Sequence, residues 1–403
     1  MAERGTPRGN GMRARKPRIL FLPMEGRGLG HLSRSCKLAR SLQSTASCLI
    51  GTGVRYAGNL VPEQCEYVRI PGLDGLFESR ATERGKVPFV DLTPEQSVDF
   101  RRQLLCTLER MFRPDLIVTD ILPAGDYSEL ADMLARSHAK KFILLRSILG
   151  IESIGAIRRF SLEALTQFYD ALVIASDPRT AQVDEDLQFT DRERSQSHYI
   201  GYVSTPVSQK EIEGARYRRG LKPGDSWIVC SAGSGFYNTR NFDDWMSLTK
   251  DFTGVHFDLV LGPSYMGNIP SGTPSIFFEG RVRVTTEQPD LRIAHAAADV
   301  VLSHGGYNTL TETMEGGAPL VVDVRHDPLL ERRRHALQLQ PYYPIFVAQS
   351  PSELKLGLNE ALNGRVNRRP VRATKSLKFD GCDEFGQLVS EHLGLCVPNA
   401  ATN

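Results

Sequence analysis

Short unbroken runs of Val, Ile, Leu and Phe alternate with stretches of helical period along most of this chain, and the runs end on small or polar residues. In the first half these are "RILFLPM", "CLIGTG", "EYVRIPG", "PDLIVTD", "KFILLRS" and "ALVIAS"; in the second, "SWIVCSAGSG", "FDLVLG", "SIFFEG", "DVVLSHGG" and "PLVVDV". A strand apolar at nearly every position is buried on both faces, which happens where helices cover a parallel sheet. Between the first two runs Leu32, Cys36, Ala39 and Leu42 recur at helical spacing and supply one apolar face for that cover. The pattern predicts repeated β-α-β units and an α/β fold of doubly wound parallel sheets.

The units are interrupted once. After "HYIGYVS", residues 205–225 carry Pro206, Pro223 and several glycines without a sustained apolar period. That segment reads as a linker between a first domain, 18–204, and a second, 226–375. "KFDGCDEFGQLVSEHLG" predicts a closing helix within 376–403, and "VPNAATN" a frayed end. Two domains suit 403 residues, because single cores rarely grow past about 250 to 300. With 49 Lys and Arg against 47 Asp and Glu, a net charge of +2 gives no field that would draw the chain to nucleic acid. Residues 1–17, rich in Arg and Gly, are expected to be a disordered basic tail.

The seven cysteines are scattered and form no C-x-x-C pair, which argues against a disulfide framework or a zinc site. No apolar run approaches the roughly 20 residues that span a bilayer, so the expectation is a cytoplasmic protein. "FRRQLLCTLERMFR", Phe100 to Arg113, reads as a packed helix or, through its arginines, as a contact with a membrane surface.

In open parallel sheets, ligands bind beyond the carboxyl ends of strands, where loops meet helix N-termini with unpaired N–H groups. That rule selects Gly26 to His31, Asp120, Arg146, Ser231 to Gly235 and His304 to Thr309. "GRGLGH" is not the dinucleotide fingerprint, since its third glycine follows the second by two residues and no acidic residue ends "CLIGTG". Its Gly28 and Gly30, with Arg34 and Arg146, are expected on an acceptor-side loop. His31 opens a helix, whose dipole disfavours the imidazolium; it reads as a general base backed by Asp120, or as a simple helix cap.

"SHGGYNTLTETMEGGAP" delivers His304, Gly305 and Gly306, then Asn308 and Thr309 at a helix start. This suits a diphosphate, with Glu312 one turn on and in reach of a ribose hydroxyl pair; the plain alternative is a capped helix after a tight turn. "SAGSG", with Ser231, Gly233, Ser234 and Gly235, meets the diphosphate from the other side or is only a strand-to-helix turn. No D-x-D cluster ends a strand, so no metal is expected, and "VDEDL" around Asp184 reads as a solvated acidic loop.

Together these segments resemble the GT-B glycosyltransferases. The group in question is UDP-sugar-dependent and includes plant UDP-glycosyltransferases and the N-acetylglucosaminyltransferase of peptidoglycan synthesis. "GLGHLSR" with "FILLRSIL" looks closest to bacterial predicted glycosyltransferases. The resemblance implies two Rossmann-like domains facing a cleft, His31 as base, Asp120 as its acid partner, and a donor signature on His304, Asn308, Thr309 and Glu312. Relatives follow this signature with an acid-glutamine pair for the donor sugar. Here Glu331 matches the acid, Arg332 stands where glutamine is usual and His335 where asparagine is, and Asp327 is a second candidate.

The implied activity is inverting, metal-independent transfer from a nucleotide diphosphate sugar to an acceptor hydroxyl, with no bound cofactor. The donor is expected to be UDP-linked, UDP-N-acetylglucosamine among the candidates, and the acceptor a small molecule or a lipid-linked one. A sugar-nucleotide epimerase of the same architecture and a non-catalytic nucleotide-sugar-binding protein are the alternatives.

Overall fold

The computed structural model describes residues 15–25, 28–54, 57–72, 92–147, 162–235, 241–265, 275–277, 279–288, 290–326, 330–364 and 377–395. The first half runs β1 (Arg18–Leu22), α1 (Gly30–Ser41), β2 (Ser47–Thr52), β3 (Glu66–Arg69), α2 (Pro94–Phe112), β4 (Leu116–Asp120), α3 (Ala131–Arg136), β5 (Lys140–Arg146), α4 (Leu162–Phe168), β6 (Ala171–Ala175), α5 (Val183–Leu187), α6 (Asp191–Ser195) and β7 (Ser197–Tyr199). The second runs α7 (Gln209–Arg219), β8 (Ser226–Ser231), α8 (Asn241–Asp251), β9 (Val255–Val260), β10 (Ser275–Phe277), β11 (Val282–Thr285), α9 (Leu291–Ala297), β12 (Val300–Ser303), α10 (Tyr307–Gly316), β13 (Leu320–Asp323), α11 (Glu331–Leu339), β14 (Ile345–Ala348), α12 (Pro351–Asn363) and α13 (Gly381–His392).

Among the described residues these strands form two seven-stranded sheets. The first has the order β3-β2-β1-β4-β5-β6-β7 and is parallel throughout. The second, β10-β11-β9-β8-β12-β13-β14, is parallel except at its β10 edge. Both orders reverse direction once, between β1 and β4 and between β8 and β12. A crevice opens at such a switch point, and here it takes the loops that follow β1, β4, β8 and β12.

The expected buried runs are strands, and β4 and β6 are buried at every position. Each sheet carries an apolar cluster on both faces, as the unbroken runs require. Strand β11 escapes the apolar pattern because its buried Val282 and Val284 alternate with half-buried Arg283 and Thr285.

Two expectations are corrected. Residues 205–225 hold the helix α7 where only a polar connection was expected. Its ends are sealed locally: Ser208 accepts from the Glu211 N–H, Glu211 accepts from the Ser208 N–H at 2.7 Å, and Gly220 closes the helix at φ 80°. It docks through charge more than through an apolar face, with Arg219 buried against Asp258 at 2.5 Å and Arg216 on Asp299 at 3.2 Å. Apolar periodicity does not register such a helix. "VDEDL" is also not a solvated loop: it forms the helical turn α5 on buried Val183 and Leu187. Asp184 there accepts from the Tyr199 hydroxyl at 2.6 Å, and Asp186 pairs with Arg334 at 2.8 Å.

In α2, Arg101 points inward to Glu25 at 2.7 Å, with Glu129 at 3.7 Å, so it is not available to a surface. Val98 and Leu105 are buried on the same helix, which makes it a packed helix. Among the described residues no helix is long and apolar enough to cross a membrane.

The last helix, α13, returns to the first sheet. Phe385, Leu388 and Val389 join the cluster built on Ile19, Phe21 and Phe142, and the Phe385 ring lies 6.2 Å from Phe21 and 6.3 Å from Phe142, centroid to centroid. Truncating Phe385, which is fully buried, removes that packing and leaves a cavity. Phe385→Ala is expected to destabilise the first lobe by about 3 to 5 kcal/mol. Urea denaturation checks this, and an unchanged midpoint would mean that α13 is not part of the core.

Candidate active site

Strand β4 ends on Asp120, and α1 starts beside it. Gly30 is the first residue of α1; Leu29 precedes it without a side-chain cap, so the first-turn N–H groups have no side-chain acceptor from the cap position. The helix rotation carries His31 and Arg34 onto the side that faces β4. Nδ1 of His31 lies 2.8 Å from Oδ2 of Asp120, and Arg34 donates to Oδ1 at 2.7 Å. His31 keeps 13% of its side chain exposed, whereas Arg34 and Asp120 keep 2% and 1%. The Asp120 pKa is pushed up by burial but pulled further down by Arg34 and His31, so the net direction is down and the carboxylate stays ionised. With Nδ1 committed to Asp120, Nε2 is the ring nitrogen left to take a proton. Arg34, expected on a loop, is instead buried in the helix and bonded to the dyad.

The second lobe meets this point directly. Strand β12 leads through Gly305, at φ 75°, into α10, whose N-cap Gly306 provides no side-chain hydrogen bond. The uncapped N–H groups of its first turn are suited to an anion. Asn308 Nδ2 donates to the Gly30 carbonyl at 3.0 Å, and the Arg34 guanidinium sits over the Tyr307 ring, 5.5 Å from its centroid. The Tyr307 hydroxyl donates to the Ala175 carbonyl at 2.9 Å and accepts from the Val203 N–H at 3.1 Å, tying α10 to the end of β6 and to the crossing between lobes. Gly28 also faces the second lobe, since a Cβ there would lie 4.0 Å from the Ser234 hydroxyl.

Two of the three carboxylates expected on the donor, Glu312 and Glu331, have partners from the first lobe. Glu312 accepts from Lys37 at 2.7 Å, with His295 Nδ1 3.4 Å from its other oxygen. Burial raises its pKa, but Lys37 and then His295 outweigh this and hold it at about 2. Glu331 pairs with Arg146 at 2.8 Å. His335 packs beside both Tyr202 and Tyr307 and shares a 3.1 Å hydrogen bond with the Ser147 hydroxyl.

His304 is buried, stacked on Trp245 at 4.8 Å, with Nδ1 donating to the Asp323 carbonyl at 3.2 Å. Burial is the first cause that lowers its pKa to about 4. Arg332 is half-buried beside the Gly305 turn, and Thr309 is buried. In "SAGSG", Gly235 serves the backbone: a Cβ would fall 2.2 Å from the Leu261 carbonyl, while Gly233 faces open space. Ser231 is buried at the end of β8. Gly26 and Asp327 lie outside the described residues, and among those described no group of His, Cys, Asp and Glu is arranged to hold a metal ion.

No protein-family model matches the chain, and no curated protein matches it. Solved structures do. UGT2 of Phytolacca americana, complexed with UDP-2fluoro-glucose and pterostilbene, superposes with a TM-score of 0.63 at 16% identity, covering 95% of this chain and 100% of that one. CalG4, the calicheamicin glycosyltransferase, gives 0.58 at 17%, covering 94% and 99%. The glycosyltransferase SnogD from Streptomyces nogalater gives 0.53 at 17%, covering 94% and 100%. The fold is GT-B.

Within this GT-B fold, sequence reasoning found the dyad and the start of α10 but missed Lys37, Tyr307 and His295. One signal was present: His31, Arg34 and Lys37 form a basic stripe at spacing three on α1, beside the apolar face used to recognise the helix. Tyr307 has no comparable signal, because its partners Ala175 and Val203 lie in the first half of the fold.

His335 provides a test of the packing under the GT-B cleft. Burial, then nearby Arg146, pushes its pKa from the ordinary 6.5 down to about 3. A ring neutral when folded but basic when unfolded contributes stability in full above pH 6.5 and loses it progressively as the pH falls toward 3. The slope is about 1.4 kcal/mol per pH unit for one ring. His335→Asn should therefore flatten the fall in stability between pH 6 and 4 by that amount in urea titrations. Parallel slopes for the two proteins would show that His335 binds a proton in the folded state.

Proposed function

We propose that the protein is an inverting glycosyltransferase that moves a sugar from a UDP-linked donor, UDP-N-acetylglucosamine among the candidates, to an acceptor hydroxyl. The observation that carries this reading is the meeting of two lobes at one point. A histidine backed by a buried carboxylate follows Gly30, whose carbonyl accepts from Asn308 at the uncapped start of α10. Two of the neighbours described above, CalG4 and SnogD, are glycosyltransferases by name, and UGT2 was solved with UDP-2fluoro-glucose. The six described cysteines are free, which suits the reducing cytoplasm.

In the reaction, Nε2 of His31 takes the proton of the acceptor hydroxyl as that oxygen attacks the anomeric carbon from the face opposite the diphosphate. The bond from the anomeric carbon to the diphosphate oxygen breaks, and the electron pair leaves with the nucleotide diphosphate. Asp120 remains ionised and stabilises the imidazolium formed at His31. N–H groups of Asn308 and Thr309 meet the charge on the leaving diphosphate, so the step needs no divalent metal. To reach the ribose and the sugar hydroxyls, Glu312 and Glu331 exchange Lys37 and Arg146 for the donor. The acceptor, a small molecule or a lipid-linked one, enters from the first lobe.

His31→Ala should lower turnover by about a hundred-fold or more while leaving donor affinity nearly intact. Steady-state kinetics with a nucleotide-sugar panel, read by mass spectrometry of the released diphosphate, tests donor and reaction class together. Turnover unchanged in the variant would remove His31 from the mechanism, and isomerised donor without acceptor would favour an epimerase. Glu312→Ala should weaken nucleotide binding by about 1.5 to 3 kcal/mol in calorimetry. Unaltered affinity would end the ribose assignment.

A further inference from the structure

The dyad has a third member. Arg34 is as buried as Asp120, bonds the carboxylate oxygen that His31 does not use, and has its Nη2 3.4 Å from His31 Nδ1. Its guanidinium lies over the Tyr307 ring, which covers one face of the cation. A buried arginine loses its hydration and holds position only where an anion or an aromatic face replaces it; here both are present.

The charges around His31 can be enumerated element by element. On its own helix stand Arg34 and, two turns from His31, Lys37, which is committed to Glu312 of α10. From β4 comes Asp120. From β5 comes Arg146, committed to Glu331 of α11. Arg146 also acts on Asp120, and Arg332 of α11 on Arg146, but only Asp120 and Arg34 reach the ring itself, so these two set the balance at the imidazole. With both present and the ring neutral, the buried group carries no net charge. Without Arg34 it would hold one uncompensated negative charge, and a proton on His31 would neutralise it.

We propose that Arg34 is a positioning residue for the base: it holds Asp120 in line with Nδ1 and offsets part of the negative charge that the imidazole faces. This rests on the reading of His31 as the base, but it makes a claim about the imidazole that does not depend on turnover. A charge at this distance moves a neighbouring titration by about one pH unit or more.

The test is the proton titration of His31, followed by NMR of histidine labelled at the ring carbon, with the signal assigned as the one missing from His31→Gln. In Arg34→Met the His31 midpoint should rise by about one pH unit or more, and Arg34→Lys should return most of the way to the wild type. Arg34→Gln, which keeps a hydrogen bond to Asp120 without the charge, is the second neutral variant should the methionine chain fail to fold. In turnover, the acid limb of kcat/KM should move up by the same amount, so that activity lost at pH 7 is recovered at higher pH. A folded neutral variant with an unmoved midpoint would overturn the proposal, as would a loss of activity constant at every pH. If His31→Ala keeps full turnover while the midpoint still moves, the base reading fails and the electrostatic role of Arg34 stands.

Discussion

A carboxylate ionised in the floor of a protein cleft costs several kcal/mol unless cations and hydrogen bonds replace the water it has lost. Asp120 is such a group, 1% exposed at the end of a central strand. Its two partners, His31 and Arg34, both come from the first turns of α1, which fixes how that helix sits over the switch point of the first sheet. Tyr307 then rests on the Arg34 guanidinium, and Asn308 reaches Gly30, so the start of α10 is aligned on the same carboxylate. One buried charge thus sets the orientation of the His31 imidazole and its distance from the opposite lobe.

The lobes are closed on one another through contacts a donor can replace. Lys37 with Glu312 and Arg146 with Glu331 keep between 12% and 22% of their side chains exposed. A ribose or sugar hydroxyl that replaces the cation forms a charge-assisted hydrogen bond to the carboxylate, worth about 1.5 to 3 kcal/mol. The hydrogen bonds of Tyr307 to Ala175 and Val203 add a further tie between the start of α10 and the end of the first sheet.

Legibility in the sequence followed the physics of each element. Buried parallel strands announce themselves because both faces must be apolar, and strand ends locate candidate chemistry because parallel topology collects them on one edge. His31 and Asp120 were visible on those grounds. Arg34 was visible as a residue but misplaced on a loop, because its role depends on the rotation of α1 toward β4. Lys37 as the partner of Glu312 required knowing that two lobes close, which local patterning does not encode. The helix α7 was hidden because arginines rather than an apolar stripe anchor it, although the Ser208 and Glu211 spacing was a cap signal in plain view.

The central claim is that a diphosphate rests on the first turn of α10 facing the His31 imidazole. A crystal structure with a bound non-hydrolysable UDP-sugar tests it most directly. The account predicts diphosphate oxygens within hydrogen-bond distance of the Asn308 and Thr309 N–H groups, with the anomeric carbon turned toward Nε2 of His31. A diphosphate held elsewhere, or an anomeric carbon turned away from His31 with the lobes closed, would contradict it.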